Sequence, residues 1–434
     1  MKNVVVAVVH REEIPEKPSK YTQKSTEIIT GMIEECFSLA GGIERFIKPN
    51  QTVLLKPNIV GATADPDSGV NTDPRVIEAT VKYIKNSVKN VRVLVGETPY
   101  GERGVSRKAL DVGTPIGDAV RRAGGEVVYF DEEPRIRVNL PKAKTFWEFT
   151  VPQVLMECDV YIQMPKLKQH AIAQVSHSLK NIMGFLTHED MISCHNTSLF
   201  QQIVDINKAR MPDFTIMDGL LSLTYDHYTN YEEHKVKFNT LIAGEDAVAV
   251  DAVSQYLMGW NDPAKEVKLT RIAQHDGLGV ADLEKIEIKG EDVRKLRKNL
   301  ITPWDPQTRK GFCAYSYEPT PIEAVYDGVE VFMGGCCSGC QALIRESLDW
   351  ANFDGTLKRI IEDVGNLNII VGRNARINPS LLPLVGATIV YGDCASYWAK
   401  EVGRWVDRPT CFALGCPPDF GALSAFFSRI LTQR

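Results

Sequence analysis

Short runs of β-branched and other apolar residues alternate along this chain with stretches that have helical periodicity. The first three runs are VVVAVV at 4–9, TVLLKPN at 52–58 and VRVLVGET at 91–98. Their length and β-branched content are typical of strands buried on both faces of a sheet. Because helices separate the strands, the pattern predicts an α/β fold with a mostly parallel, doubly wound sheet.

The alternation continues for most of the chain. Further strands are predicted at 126–131, 159–168, 214–219 and 239–244. Helices are predicted at 25–40, 74–88, 112–123, 196–209, 246–258 and 264–275. Asp73 and Pro74 have the residue types preferred at a helix N-cap and first position, so the second helix should begin there.

Residues 291–325 interrupt this pattern, because they begin highly charged and then become rich in proline and aromatic residues. A second, smaller α/β pattern follows, with strands at 329–337, 366–373, 386–394 and 409–418. We therefore predict a first α/β domain at 1–290, a linker or surface strap at 291–325, and a second α/β domain at 326–434.

Composition excludes several classes of protein. The chain has 434 residues, of which 44% are hydrophobic and 24% charged, with a net charge of -5, as expected of a globular protein with large cores. This balance argues against a broad nucleic-acid surface. No apolar run approaches the ~20 residues that a spanning helix requires, and the N-terminal run reads as a strand rather than a signal peptide. We expect a cytoplasmic protein that contacts neither nucleic acid nor membrane.

The cysteines are unevenly distributed, since seven of the ten lie after residue 312. Three predicted strands of the second domain end in cysteine-containing loops, GGCCSGC, GDCAS and GCPP, and such loops share one edge of a parallel sheet. The set Cys337, Cys340, Cys394 and Cys416 supplies four thiolates, the number that holds a 4Fe–4S cluster. A structural zinc site, or a vestigial or disulfide-switching site, is the alternative. Cys336 could replace Cys337 or join it.

The motif CCSGC…GDCAS…GCPP resembles the small subunit of nickel–iron hydrogenases and the related cluster subunit of respiratory complex I, over about residues 328–420. That resemblance implies a flavodoxin-like domain for this segment. It also implies that Cys337, Cys340, Cys394 and Cys416 are the cluster ligands.

The first domain has polar residues at the ends of several predicted strands. We predict that four of them bind an anionic small-molecule substrate, and these are Lys56, Asn58, Asn181 and His195. A desolvated lysine can act as a general base. We assign that role to Lys166 or Lys180, with His170 as the partner in proton transfer.

The motifs KPN, NTDP, GET, PKLKxH, SLKNxMG and DG resemble the family called domain of unknown function 362, over about residues 50–260. That family is thought to be related to the N-terminal domain of lactate racemases, and many of its members carry ferredoxin-type clusters. The resemblance implies an α/β fold and leaves the reaction open. This chain lacks the ferredoxin CxxCxxCxxxCP run, and the hydrogenase-like domain would take its place.

Three functions fit these patterns. The first is an oxidoreductase in which a 4Fe–4S cluster passes electrons between a partner protein and an anionic small molecule held by the Lys/His loops. The second is a non-redox racemase or lyase with a structural or Lewis-acid cluster. The third is an electron carrier or cluster-assembly protein without a substrate of its own. The sequence leaves a homodimer open.

Overall fold

The computed structural model describes residues 4–99, 104–170, 173–196, 199–224, 232–300, 326–336, 338–419 and 421–432. The chain divides into two compact units. Within the described residues, the first unit extends to Met191 and resumes at Phe200. The second contains Ile192–Leu199 and the chain from residue 326 onward.

A ten-stranded sheet forms the centre of the first unit, and a two-stranded hairpin accompanies it. The strands are β1 (Val4–His10), β2 (Thr52–Pro57), β3 (Arg92–Gly96), β4 (Glu126–Val128), β5 (Arg135–Asn139), β6 (Glu148–Pro152), β7 (Val160–Met164), β8 (Lys166–His170), β9 (Gln174–Val175), β10 (Phe214–Leu223), β11 (Lys235–Gly244) and β12 (Ile286–Gly290). The order across the main sheet is β12-β1-β11-β10-β7-β2-β3-β4.

Most neighbours in this sheet are parallel, as the alternation of strands and helices predicts. β2 pairs in parallel with β3 and β7, and β10 pairs in parallel with β7 and β8. β11 is the exception within the main order, because it is antiparallel to both β1 and β10. The predicted strand 159–168 consists of β7 and β8, and the β5–β6 hairpin was not predicted.

Helices cover both faces of the first sheet. The helices before residue 300 are α1 (Gln23–Leu39), α2 (Pro74–Ser87), α3 (Val105–Arg107), α4 (Ile116–Arg122), α5 (Gln153–Glu157), α6 (Ser178–Asn181), α7 (His188–Asn196), α8 (Leu199–Asn207), α9 (Ala247–Met258), α10 (Pro263–Glu266), α11 (Lys268–His275) and α12 (Val293–Leu296), and α7 passes from the first unit into the second at residue 192. The apolar sides of α1, α2 and α4 pack on one face, whereas α9 packs against β10 and β11 with α6 and α11 beside it. Asp73 caps α2 as predicted, because its side chain accepts a hydrogen bond from the Arg75 amide.

The second unit contains a four-stranded, fully parallel sheet. Its strands lie in chain order, β13 (Val329–Met333), β14 (Leu367–Val371), β15 (Ala387–Tyr391) and β16 (Thr410–Ala413). Its helices are α13 (Ser338–Phe353), α14 (Thr356–Val364), α15 (Tyr397–Val402) and α16 (Ala422–Thr432). One apolar cluster joins α13, α14 and α16 to the sheet. A separate cluster joins the opposite face to α15 and to residues 375–384.

The α/β class, with a largely parallel central sheet and a second smaller parallel sheet, is therefore confirmed. The division at 290 and 325 stays a prediction. Helix α12 lies inside the predicted linker, and residues 301–325 of that segment lie outside the described part. In the described part of the chain, no helix combines the length and the apolar character needed to cross a bilayer.

Candidate functional site

A buried lysine lies at the carboxyl end of β2. Lys56 is fully buried, and its ammonium group forms an ion pair with Glu97, which follows β3. The Lys56 Nζ also donates to the Asn181 Oδ1 at 3.1 Å, and the Asn181 Nδ2 donates to the Lys56 carbonyl at 3.3 Å. Two predicted substrate-binding residues are thus joined by contacts that connect β2 to α6.

Gly184 and Phe185 close one side of this ion pair. A β-carbon at Gly184 would lie 1.7 Å from the Glu97 Oε1 and 2.7 Å from the Lys56 Nζ, so a glycine is required there. The Thr98 amide donates to the Gly184 carbonyl at 3.2 Å and fixes this approach. The Lys56 Nζ lies 5.4 Å from the centre of the Phe185 ring. These contacts account for Asn181, Gly184 and Phe185 in the SLKNIMGF segment after β9.

Burial pushes both members of the pair toward their neutral forms. Desolvation lowers the pKa of Lys56, although the Glu97 charge opposes the change. Desolvation likewise raises the pKa of Glu97 against the opposing effect of Lys56. The free-energy gap between the charged pair and the neutral pair is therefore smaller than in water, which eases proton movement between the two side chains.

Three buried polar atoms on β7 and directly after β2 form no well-aligned hydrogen bond within the described residues, although the Gln163 side chain acts on the Tyr161 hydroxyl. They are the Tyr161 hydroxyl oxygen, the Gln163 Nε2 and the Asn58 Oδ1. Gln163 on β7 stands directly opposite Lys56 on β2, so the two side chains leave the sheet on the same face. The Tyr161 ring lies 5.4 Å from the same Phe185 ring that Lys56 approaches. We call Lys56, Glu97, Tyr161, Gln163 and Asn181 the Lys56 cluster.

A second buried ion pair joins β8 to β10. The Lys166 Nζ donates to the Asp218 Oδ2 at 2.7 Å, and both side chains are buried. Both Asp218 oxygens also accept backbone hydrogen bonds, from the Asp73 amide at 2.8 Å and the Leu220 amide at 3.0 Å. This carboxylate therefore connects β8, β10 and the start of α2.

The remaining predicted site residues are His170, Lys180 and His195, and none of them belongs to the Lys56 cluster. His170 is buried, and its Nδ1 accepts a hydrogen bond from the Ala173 amide at 3.2 Å. His170 and Lys166 lie four residues apart on β8, about 13 Å along an extended strand. Lys180 is half-buried on α6. The backbone of His195 belongs to α7, and its side chain lies outside the described residues.

The start of α6 is a further site of perturbed acid–base groups. The carboxylate of Asp251, on α9, accepts hydrogen bonds from the amides of Ser178 and Leu179 at 2.7 and 3.0 Å. Burial raises the pKa of Asp251 to about 7. His177 precedes α6, and neither of its ring nitrogens has a hydrogen-bond partner among the described residues. Burial lowers the pKa of His177 to about 3.

In the second unit, the cysteine-containing loops meet at the carboxyl edge of the sheet. The Asp393 amide donates to the Gly415 carbonyl at 3.0 Å, and the Gly415 amide donates to the Asp393 Oδ1 at 2.8 Å. These bonds hold the loops of Cys394 and Cys416 together. Cys340, at the start of α13, places its sulfur 3.4 Å from where a Gly392 β-carbon would stand.

The donor chemistry of this edge suits a thiolate-bound cluster, but the described side chains are not gathered around one point. Across the described ranges, no three His, Cys, Asp or Glu side chains are grouped as a metal site. Cys340 is buried, whereas Cys394 and Cys416 are partly exposed. Cys337 lies outside the described residues, so the four-thiolate set stays a prediction.

Comparison with known families concerns the first unit. Residues 53–255 match the model of the family DUF362, a domain of unknown function. The matched segment contains every member of the Lys56 cluster as well as Lys166 and Asp218. The cysteines at 337–416 follow the matched segment, and the hydrogenase-like resemblance of 328–420 stays a prediction.

One curated relative and two solved structures are also similar to the chain. Thylakoid-associated protein sll1697 of Synechocystis sp. (strain ATCC 27184 / PCC 6803 / Kazusa) is 27% identical over 231 residues, or 49% of this chain and 64% of that protein. The lactate racemase apoprotein of Thermoanaerobacterium thermosaccharolyticum aligns with TM-score 0.36 and 12% identity over 53% of this chain and 55% of its own. A Thermotoga maritima protein aligns with TM-score 0.34 and 12% identity over 61% of each chain.

Several residues of the site in the first unit were absent from the predicted set. Glu97 and Asp218 were visible as polar strand ends, but their ion pairs with lysines were not. Gln163 lies within the apolar run VYIQM, and Asp251 lies within AVAVDAVSQYLM. A single polar residue inside an apolar segment is expected to need a buried partner, and that signal could have identified both residues.

Proposed function

We propose that the chain is an iron–sulfur oxidoreductase acting on a small anionic molecule. The cluster would be 4Fe–4S, held in the second unit by Cys337, Cys340, Cys394 and Cys416. The substrate would bind at the strand ends of the first unit, near Lys56, Asn58 and Asn181. A partner protein would exchange electrons with the cluster.

The observation that carries this proposal is the meeting of the cysteine loops in the second unit. Three chain segments that are distant in sequence bring Cys340, Cys394 and Cys416 to one sheet edge, and two hydrogen bonds join the loops that follow β15 and β16. A cluster bound there would accept and release single electrons. Gly392 and Gly415 have φ of +90° and +123°, which allows their backbone to lie beside a bulky group.

The first unit supplies groups that can hold charge and move protons. Lys56 lies one residue before the end of β2, and Asn181 fixes its position through the 3.1 Å hydrogen bond. Glu97 can hold or release a proton because its pKa is raised by burial. Reduction of a small organic anion consumes protons as well as electrons, and the Lys56–Glu97 pair is our candidate for their source. Lys166, His170 and Lys180 stay the predicted catalytic set, and His195 a predicted substrate ligand.

The same pair favours a second function, a non-redox racemase or lyase. A buried lysine beside a buried carboxylate can abstract and return a proton without any electron transfer. In that case the cysteine edge would hold a structural or Lewis-acid cluster, or zinc.

Metal content and redox spectra distinguish these functions. Protein purified anaerobically should contain about four iron and four acid-labile sulfide per chain. Its broad visible absorption should bleach with dithionite. Zinc, or an absence of metal, would contradict the oxidoreductase. Iron with a spectrum that dithionite leaves unchanged would favour the non-redox enzyme.

The chain offers a matched pair of cysteines for this test. Cys416→Ala removes a proposed ligand and should abolish the visible absorption. Cys411→Ala removes a partly buried thiol on β16, five residues earlier, and should keep iron, sulfide and spectrum unchanged. Equal iron content in both variants would contradict the ligand set.

A further inference from the structure

The two buried lysine–carboxylate pairs of the first unit differ in their surroundings. The Asp218 carboxylate, the partner of Lys166, accepts a backbone hydrogen bond at each oxygen, whereas Glu97, the partner of Lys56, accepts one from the Thr98 amide at its Oε1. The Lys56–Glu97 pair instead lies beside buried polar atoms without partners. A buried ion pair gives little net stability, and each unsatisfied buried polar atom costs about 1–3 kcal/mol. The Lys56 cluster therefore carries an energetic cost that its own contacts do not offset.

The unpartnered atoms indicate what kind of ligand would satisfy them. The Gln163 amide nitrogen carries two N–H groups and the Tyr161 hydroxyl carries one O–H group, so after the contact between these two side chains each keeps a donor for an acceptor oxygen. The Asn58 Oδ1 is an acceptor that needs a hydroxyl or water. Two donors and a lysine in one cluster match a carboxylate adjoining a carbonyl group. That combination is present in 2-oxo acids.

The cluster lies just beneath the molecular surface. Lys56 and Gln163 are fully buried, but the neighbouring Asn58, Thr98 and Asn181 keep 8%, 6% and 5% of their surface exposed. Asn58 and Thr98 follow the carboxyl ends of the parallel strands β2 and β3, the edge at which α/β proteins bind small molecules, and Asn181 reaches the same pair from α6.

We propose that Lys56 forms an imine with a small 2-oxo acid, whose carboxylate accepts hydrogen bonds from Tyr161 and Gln163. This inference names the substrate class for the proposed function and rests on its assignment of the substrate to this edge. The lysine is the residue that forms the covalent bond, and Glu97 is the residue that moves protons.

The reaction balances with the groups present. Proton transfer within the pair converts the ammonium and carboxylate to an amine and a carboxylic acid. The Lys56 Nζ attacks the carbonyl carbon and forms the C–N bond, and the nitrogen gives one proton to the carbonyl oxygen. Glu97 then donates its proton to that hydroxyl, the C–O bond breaks, and water leaves. The product is a protonated imine beside an ionised Glu97.

Reductive trapping tests the inference on the full-length protein. The protein is incubated separately with glyoxylate, pyruvate or oxaloacetate and sodium cyanoborohydride, and its intact mass and peptides are measured. We expect one addition per chain, equal to the mass of the acid less one oxygen atom, on Lys56. The exposed Lys265 and Lys358 serve as internal references for non-specific labelling. Labelling of these references without labelling of Lys56, for all three acids, overturns the inference.

Two variants refine the assignment. Lys56→Arg keeps a positive charge for Glu97 but cannot form an imine, so labelling at this site should disappear. Tyr161→Phe removes one donor and should lower labelling at Lys56 about two- to tenfold, the effect of one hydrogen bond. Full labelling in Tyr161→Phe would overturn the role of its hydroxyl. If Lys56→Arg does not fold, the peptide map of the labelled wild-type protein still shows whether Lys56 carries the addition.

Metal analysis of the same preparation separates this inference from the proposed function. Labelling at Lys56 in protein that binds no iron would overturn the oxidoreductase and keep the imine. Iron and sulfide without labelling at Lys56 would overturn the imine and keep the oxidoreductase.

Discussion

At residue 184 the backbone passes so close to the Lys56–Glu97 pair that a side chain would displace it. A methyl group there meets the Glu97 Oε1 at 1.7 Å, and this oxygen is already held by the Thr98 amide at 2.9 Å. Overpacking of a buried site costs about 1–3 kcal/mol. We expect Gly184→Ala to lower the free energy of unfolding by about that amount, measured by urea denaturation.

Gly31 provides the control for this substitution. It lies within α1, and a β-carbon there would meet no atom within 4 Å. Alanine in a helix interior is favoured over glycine by about 0.5–1 kcal/mol. Gly31→Ala should therefore raise stability slightly. A Gly184→Ala protein as stable as the wild type would contradict the close contact described for the ion pair.

Sequence reasoning at this scale identified residues but not their partners. Lys56, Asn58 and Asn181 were recognisable because each follows or ends a strand or motif. The partner of Lys56 is Glu97, 41 residues away, and pairing over that distance depends on which strands become neighbours. Gln163 stands opposite Lys56 only because β7 and β2 are adjacent. Such contacts require the strand order, which local patterns do not contain.

Among the elements, the start of α6 combines two groups whose pKa values are shifted by burial in opposite ways. Asp251 holds its proton more tightly in the folded protein, with its pKa raised from 3.8 to about 7. This contribution to stability is complete below pH 3.8 and is lost as the pH rises through 7. His177 binds its proton less tightly when folded, with its pKa lowered from 6.5 to about 3. Its contribution is complete above pH 6.5 and is lost as the pH falls through 3.

These opposing effects should nearly cancel between about pH 4.5 and 6 in the wild type. Asp251→Asn removes the contribution that falls as the pH rises. The free energy of unfolding of this variant, compared with that of the wild type, should therefore increase by about 1 kcal/mol per pH unit. His177→Gln should show the opposite slope. Urea midpoints at pH 4.5, 5.25 and 6 measure both trends, and parallel profiles for all three proteins would contradict the assigned burial.

Most elements of the first unit follow from local pattern, and the exceptions have identifiable causes. β2, β3 and α2 lie within a few residues of their predicted bounds because strand runs and the Asp73–Pro74 start are local signals. The antiparallel direction of β11 has no local signal, since a buried strand has the same apolar content in either direction. The β5–β6 hairpin was missed because its strands, RIRVN and EFTVP, are only five residues long and each mixes charged or polar residues with apolar ones.

At the scale of the whole molecule, each unit has its own core. The first unit packs α1, α2 and α4 on its sheet, and the second has separate apolar clusters on the two faces of its four strands. Sequence patterning predicted both sheets, because the strand–helix alternation stops near residue 290 and resumes near 329. It could not establish whether the cysteine side chains converge on one point, because loop conformation is set by contacts between distant segments.

Units with separate cores should respond separately to loss of a bound group. If a cluster is held on the cysteine edge, its binding free energy contributes to the stability of the second unit. Hydrogen–deuterium exchange on anaerobic wild-type protein and on Cys416→Ala should therefore differ in one unit only. We expect faster exchange in β15, β16 and the loops that follow them, with β2, β7 and β10 unchanged. Cys411→Ala should match the wild type throughout. Faster exchange in β2 and β7 of the Cys416→Ala protein would show instead that the stability of the first sheet depends on the cysteine edge.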